Sequence, residues 1–302
     1  MIEIRAIDPV NRAFFAGVVT GVDLRCPLTP RQVSAIHAGM DEFGMLVFHD
    51  QPIDDEQQLV FSRSLGPLEQ ATGDIAAPEE RRMSMDLNYI SNLDKNDNVL
   101  ARDDRRRLFG LGNQLWHSDS SFKEVPARYS ILSARRIPGS GGNTEFADMR
   151  AAYDALDDGT KKKIEGLAAY HSLHYSQSKL GHVAKKSDGE YSGYGFHDGP
   201  VPLRPLVKTH PESGRKSLLV GRHAHNIPGL EQADSDRLIR ELVDFACQPP
   251  RIYHHDWTAG DAVVWDNRCL MHQATPWDMT QRRIMWHSRI AGDPKSESAL
   301  AA

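Results

Sequence analysis

The sequence predicts a mainly β chain with flanking helices, an antiparallel sandwich or barrel, on three observations. From Pro126 onward, short apolar runs alternate with turns: "RYSILSARRIP", "GGNTEFADM", "DAVVWDNRCLMH" and "RRIMWHSRIAG". "HPESGRKSLLV" reads as a hairpin, two β-rich runs around a Glu212-Ser213-Gly214 turn. Helical periodicity is confined to a few stretches between these runs, so helices decorate a frame of strands.

The elements follow in order. "LTPRQVSAIHAGMDEFG" has Thr29 as N-cap, Pro30 at the first helical position, apolar Val33, Ile36 and Met40, and Gly44 as a stop. "MLVFHD" (Met45 to Asp50) is a short apolar strand, and Asp54 to Gly66 a second capped helix. Glu69 to Arg107 is polar apart from strand-like "LNYISNL" (Leu87 to Leu93), a composition that suits loops bordering a site. Two helical stretches interrupt the later strands, "DMRAAYDALDDGTKKKIEGL" and "EQADSDRLIRELVDFACQ", the second with Leu238, Leu242 and Phe245 at helical spacing. No repeat, low-complexity tract or compositional break marks a linker, so residues 1–302 read as one domain.

Composition excludes several classes of function. The 41 acidic residues outnumber 36 basic ones, for a net charge of -5, and the longest basic runs are three residues, which argues against a nucleic-acid partner. No apolar run approaches the roughly 18 residues a membrane span needs. The start "MIEIRAIDPV" lacks the charged-then-apolar layout of a secretory signal, so a cytoplasmic protein is expected. Cys26, Cys247 and Cys269 are odd in number and widely spaced, as expected of buried thiols in a reducing compartment.

The chemistry must then be sorted among fourteen histidines. A non-haem iron centre of the two-histidine, one-carboxylate type needs three ligands on one face of the metal. Two H-x-D matches could supply the local half: His117-Ser118-Asp119 and His254-His255-Asp256. On an extended strand, residues i and i+2 point to the same side, so this spacing allows chelation. A hydrogen-bonded surface pair explains the same spacing. His117 and Asp119 sit in "NQLWHSDSSF", dense in polar and aromatic residues, whereas His254 to Asp256 precede a turn and a strand as edge residues would. His272 ends "GDAVVWDNRCLMH"; it is either a third ligand or a core histidine satisfied by its neighbours. Beyond it, Arg283, Met285, His287 and Arg289 alternate onto one face of a β-like segment. That face is either solvated or a pocket for carboxylates, which arginine's planar fork suits. The serines of "HSDSS" lack the glycine-flanked elbow of a serine hydrolase.

Taken together and in order, "WHSD" (Trp116 to Asp119), "GGNTEF" (Gly141 to Phe146), "WDNRCLMH" (Trp265 to His272) and Arg283 resemble the pattern of the iron(II) and 2-oxoglutarate dependent dioxygenases of the taurine dioxygenase family. The likeness runs from "FFAGVVTGVDLR" to "RRIMWHSRIAG", and "NQLWHSDSSF", "DMRAAYDAL" and "WDNRCLMH" look closest to its aryloxyalkanoate (phenoxyacetate and phenoxypropionate herbicide) branch. The resemblance implies a double-stranded β-helix, or jelly-roll, core. It implies His117, Asp119 and His272 as ligands of Fe(II), Thr144 and Arg283 as holders of the co-substrate 2-oxoglutarate, and O2 as oxidant. The substrate it implies is a small anionic aromatic acid, hydroxylated beside its ether oxygen to give a phenol and a 2-oxo acid. Asn113, Phe122, His287 and Arg289 are the candidates for binding it, with the Leu87 to Leu93 and Tyr175 to Val183 segments lining its ring pocket. A homo-oligomer is the expected assembly. One departure bears on specificity: taurine dioxygenase has a second arginine four residues past the first, where this chain has His287, with Arg289 two further on. Alternatives are turnover of another small carboxylate or an alkylsulfonate, or metal binding on the same sandwich without catalysis.

Overall fold

A computed structural model of the chain describes residues 1–69, 87–181 and 199–301. The first elements are β1 (Glu3–Ala6), β2 (Gly17–Thr20), α1 (Pro30–Phe43), β3 (Met45–Phe48), α2 (Asp55–Leu65) and β4 (Asn88–Ser91). Then come α3 (Arg105–Gly110), β5 (Ala127–Arg136), β6 (Thr144–Asp148), α4 (Met149–Ala155), α5 (Asp158–Ile164), β7 (Ala168–His171) and α6 (Leu173–Ser178). The chain continues through β8 (Leu203–Pro205), β9 (Val207–Thr209), β10 (Lys216–Leu218), β11 (Ala224–His225) and α7 (Gln232–Ala246). It closes with β12 (Ile252–His255), β13 (Ala262–Asp266), β14 (Leu270–Ala274), β15 (Ile284–Ala291) and α8 (Pro294–Glu297).

Local chemistry explains the helix ends. Thr29 and Gln32 form a reciprocal capping box at α1, and Asp54 and Gln57 do the same at α2; such a cap contributes about 1 kcal/mol. Gly44 ends α1 in the left-handed conformation. The turn expected at Glu212-Ser213-Gly214 joins β9 to β10 as an antiparallel hairpin. Two expectations need correction. The stretch around "DALDDGT" is not one helix, because Leu156 is extended and Asp157 caps a new helix by accepting from Thr160 N. "DAVVWDNRCLMH" is two strands, because Asp266 accepts from the backbone N–H of Arg268 and bends the chain before β14. The helix expected around Leu238, Leu242 and Phe245 is α7; Leu238 and Leu242 face the core, and Phe245 is exposed under the Arg251 guanidinium.

Two sheets carry the fold. The larger has the order β1-β2-β3-β13-β5-β15-β4, antiparallel except between β2 and β3. The smaller has the order β12-β6-β14, also antiparallel. Met45, Val47, Leu132, Trp265 and Met285 of the larger sheet meet Phe146 and Leu270 of the smaller one in a shared apolar core. Helices α1 and α2 cover the outer face of the larger sheet through Ile36, Met40 and Phe61. Helices α4 and α7 cover the outer face of the smaller sheet, where Ala152, Leu238 and Leu242 meet Ala147 and Met271.

This layering decides the fate of the arginine-bearing strand. In β15, Met285, His287 and Arg289 stand opposite Ala134, Leu132 and Ser130 of β5 and look into the space between the sheets. Its other face lies under α2, where Ser288 bonds Gln58 and Ser62. Neither face is solvated, so the arginines on it must find partners inside the protein. Of the cysteines, Cys247 and Cys269 are buried as expected and Cys26 is exposed; all three are free thiols.

Candidate metal centre

His117 and His272 are neighbours across strands. Each backbone N–H donates to the other's carbonyl, at 3.1 and 2.8 Å, which attaches the His117 segment to β14 as a fragment of a further strand. The rings lie 4.2 Å apart between centroids. Within the H-x-D pair, His117 is extended whereas Asp119 begins a turn that includes Ser120 at φ 56°. The turn, rather than strand alternation alone, carries the carboxylate back toward the two rings. One donor atom from each of His117, Asp119 and His272 falls within 4.8 Å of the others, a set that can hold one cation.

The donors are oriented by their surroundings. His117 donates from Nδ1 to the Leu115 carbonyl at 2.6 Å, which leaves Nε2 as the free lone pair, 3.9 Å from Asp119 Oδ1. Ser130 donates to Asp119 Oδ2 at 2.7 Å, and Asn267 donates to Ser130 while accepting from Asp119 N and Trp265 Nε1. His287 stacks on Trp265 with rings 2° from parallel and brings Nε2 to 3.3 Å from Asp119 Oδ2 without a hydrogen bond. One carboxylate oxygen is thus held by the protein and the other faces His117.

Electrostatics set the protonation a metal requires. Burial, then neighbouring His272, pushes His117 down to about 3. Burial also brings His272 down to about 4, against the pull of Asp119. Burial alone would raise Asp119, but His272, His287 and His117 hold it well below the usual carboxylate range. At neutral pH the centre is therefore two neutral imidazoles and one carboxylate, the forms that ligate a divalent ion.

A second anchor lies along the same interior face. Thr144, Phe146 and His272 share that face, since β14 pairs His272 with Phe146 and Ala274 with Thr144. Two residues before Thr144, the Gly142 carbonyl accepts from Arg283 Nε and Nη2 at 3.2 and 3.0 Å. Gly141 and Gly142 both have φ of +70°, and a Cβ at Gly142 would stand 3.1 Å from Arg283 Nε, so this loop requires glycine. Arg283 is buried with its guanidinium over Trp277, and no carboxylate pairs with it among the described residues. Burial lowers it only to about 10, so it stays charged. A buried guanidinium that stays charged can receive an anion.

Residues 4–289 match the family described as taurine catabolism dioxygenase TauD, TfdA family. The chain belongs to the TauD/TfdA family. It is 57% identical over 297 residues to an (S)-phenoxypropionate/alpha-ketoglutarate-dioxygenase of Sphingobium herbicidovorans, covering 98% of each chain. It is 42% identical to an alpha-ketoglutarate-dependent 2,4-dichlorophenoxyacetate dioxygenase of Cupriavidus pinatubonensis, over 95% of this chain and 97% of that one. Among solved structures, that of AAD-2 in complex with Mn(II) and N-oxalylglycine superimposes with a TM-score of 0.90 at 44% identity, covering 99% of this chain and 100% of the other.

Within this TauD/TfdA chain the substrate candidates divide. Phe122 is buried and meets His223 edge-on at 4.9 Å, and His223 in turn meets His117 at 5.9 Å. Asn113 lies half-buried in a short 3-10 turn, residues 111–114. His287 is beside Asp119, while Arg289 donates from Nε to Glu69 at 2.8 Å. Glu69 also accepts from Lys123 and Ser120. Leu87 to Leu93 form β4 and its flanks, on the edge of the larger sheet next to β15. Tyr175 belongs to α6, and residues 182–183 lie outside the described residues, as do 70–86 of the polar stretch. The serines serve as local ties: Ser118 to the Leu270 carbonyl, Ser120 to Glu69, Ser121 to His171. Sequence reasoning missed Ser130, Asn267, Glu69, Lys123 and Trp257, whose indole N–H donates to Thr144 Oγ1 at 2.9 Å. Only Asn267 left a signal, as a polar residue closing an apolar strand.

Proposed function

We propose that the protein is an iron(II) and 2-oxoglutarate dependent dioxygenase acting on aryloxyalkanoates, with residues 1–302 forming one double-stranded β-helix domain in the cytoplasm. The observation that carries this reading is the pairing of a three-donor cluster, His117, Asp119 and His272, with a buried arginine, Arg283, that no carboxylate pairs with among the described residues. Near-identical length and 57% identity to a phenoxypropionate dioxygenase support the substrate class.

Bound iron(II) and O2 supply the oxidising chemistry, in which 2-oxoglutarate becomes succinate and CO2 and the carbon beside the substrate's ether oxygen gains a hydroxyl. The chain's own part is placement. His117 and His272 offer neutral imidazoles and Asp119 one carboxylate oxygen, its other oxygen kept by Ser130. Trp257 occupies a lone pair of Thr144 Oγ1, so the threonine hydroxyl is left to donate, with Arg283, to the distal carboxylate of 2-oxoglutarate. His287 and Arg289 are the two candidates for the substrate carboxylate: His287 Nε2 lies beside Asp119 without a hydrogen bond, and Arg289 would exchange its contact with Glu69. Phe122 and His223 form an aromatic wall beside His117. The hydroxylated carbon then releases its aryloxy group as a phenol, leaving a 2-oxo acid. Placement matters because a shift of about 1 Å at the reacting carbon costs on the order of a hundredfold in rate.

A substrate panel tests the assignment. Succinate release with iron(II) is expected to be fastest with phenoxyacetate, with an enantiomer of 2-phenoxypropionate or with their ring-substituted analogues; equal turnover with taurine would show the substrate class to be wrong.

A further inference from the structure

The strands that carry His117 and His272 have a second side. Side chains alternate across a strand, so Trp116 and Gln273, each adjacent to a metal-centre histidine, point away from the inter-sheet space. Behind them, between those strands and helices α6 and α7, lies a cavity of about 380 Å³ that none of the three metal-centre residues lines. Its volume is in the range that takes a small organic molecule. Trp116, Ile239 and Val243 give it an apolar aromatic and aliphatic floor. Lys179, Arg222 and Arg240 bring three cations to it against a single carboxylate, Asp236. That carboxylate is already shared by the Tyr175 hydroxyl, the Gln232 amide and Lys179. The Arg240 side chain, by contrast, has neither an ion pair nor a hydrogen bond among the described residues and is exposed at the rim.

We propose that this cavity is an ancillary binding site for a small aryl carboxylate, with its ring on Trp116 and its carboxylate at Lys179 and Arg240. Charge selects the anion, and the indole with its aliphatic neighbours selects the ring. The site is back to back with the metal centre through one residue step, Trp116 to His117, so its occupant contacts the strand that positions a metal ligand. The ligand chemistry is that of the proposed substrate class and in this respect rests on the proposed function; the cavity itself does not.

The test is equilibrium dialysis of labelled phenoxyacetate against the full chain loaded with Mn(II) and N-oxalylglycine, which allow binding without turnover. Two molecules per chain are expected. In the variant R240E, whose altered side chain is at the rim, affinity for one of them is expected to fall at least tenfold, with the initial rate at low substrate unchanged. If no bound molecule responds to this charge reversal, the proposal is overturned, whatever the count. If the only bound molecule is lost in R240E and no aryloxy acid is turned over, the cavity stands and the substrate assignment of the metal centre fails.

Discussion

His117-Ser118-Asp119 and His254-His255-Asp256 have the same pattern and opposite fates. At the first, the histidine and aspartate side chains are 6% and 13% exposed; at the second, 42% and 81%. His117 is fixed by the Leu115 carbonyl and meets His272 across the strand pair, while Asp119 is held by Ser130. His254 sits on the edge strand β12 near Glu145 and Asp256, with Asn143 donating to that aspartate. Spacing alone therefore specifies nothing. What distinguishes a ligand pair is a third donor, a polar group that fixes which atom faces inward, and removal from water.

The comparison can be broken by mutation. His117→Ala is expected to lower iron-dependent 2-oxoglutarate consumption by about a thousandfold, since a metal ion supplies several kcal/mol of catalysis. His254→Ala is expected to leave it within about twofold, as surface changes do. Both are read from succinate formation at saturating iron(II). The next largest effect concerns the anchor that only the first region possesses. Arg283→Gln is expected to raise the KM for 2-oxoglutarate roughly thirtyfold or more, the 2 to 5 kcal/mol cost of breaking a buried charge pair. An unchanged KM would remove Arg283 from the co-substrate site.

Two smaller effects sharpen the contrast. Ser130→Ala removes the donor on Asp119 Oδ2 and is expected to weaken iron(II) binding about 10- to 100-fold, measured by competition with a chelator. Acid should act on the metal-free protein through its buried rings. His117 and His272 have folded values of about 3 and 4, below the unfolded value near 6.5, so below that pH the unfolded chain takes up protons the folded chain refuses. Stability is then highest above about pH 6.5 and falls as pH drops toward 4, visible as a lower urea midpoint. A midpoint that rose on acidification would contradict the burial of these histidines.

Much of the frame was legible because its signals are local. "TPRQ" contains the whole capping box of α1, and the hairpin turn is written in three consecutive residues. The break inside "DAVVWDNRCLMH" was not, since a single aspartate turning on its own backbone interrupts an apolar run too briefly to change its pattern. The inward face of β15 could be counted from alternation, but whether it met water or protein depended on α2 and the second sheet, which are distant in sequence. Within the site, His117, Asp119, His272, Thr144 and Arg283 were named through four ordered motifs that resemble a family. Ser130 and Asn267, which orient Asp119, owe their place to the pairing of β5 with β13, a register that joins residues as far apart as 130 and 265.

The most direct measurement is the number of iron(II) ions bound under anaerobic conditions, by the unaltered chain, by His272→Ala and by His254→Ala. One ion per chain is expected for the first and third, and none at the same concentration for the second. Retention of the ion by His272→Ala, or its loss from His254→Ala, would place the metal elsewhere and contradict the centre described above.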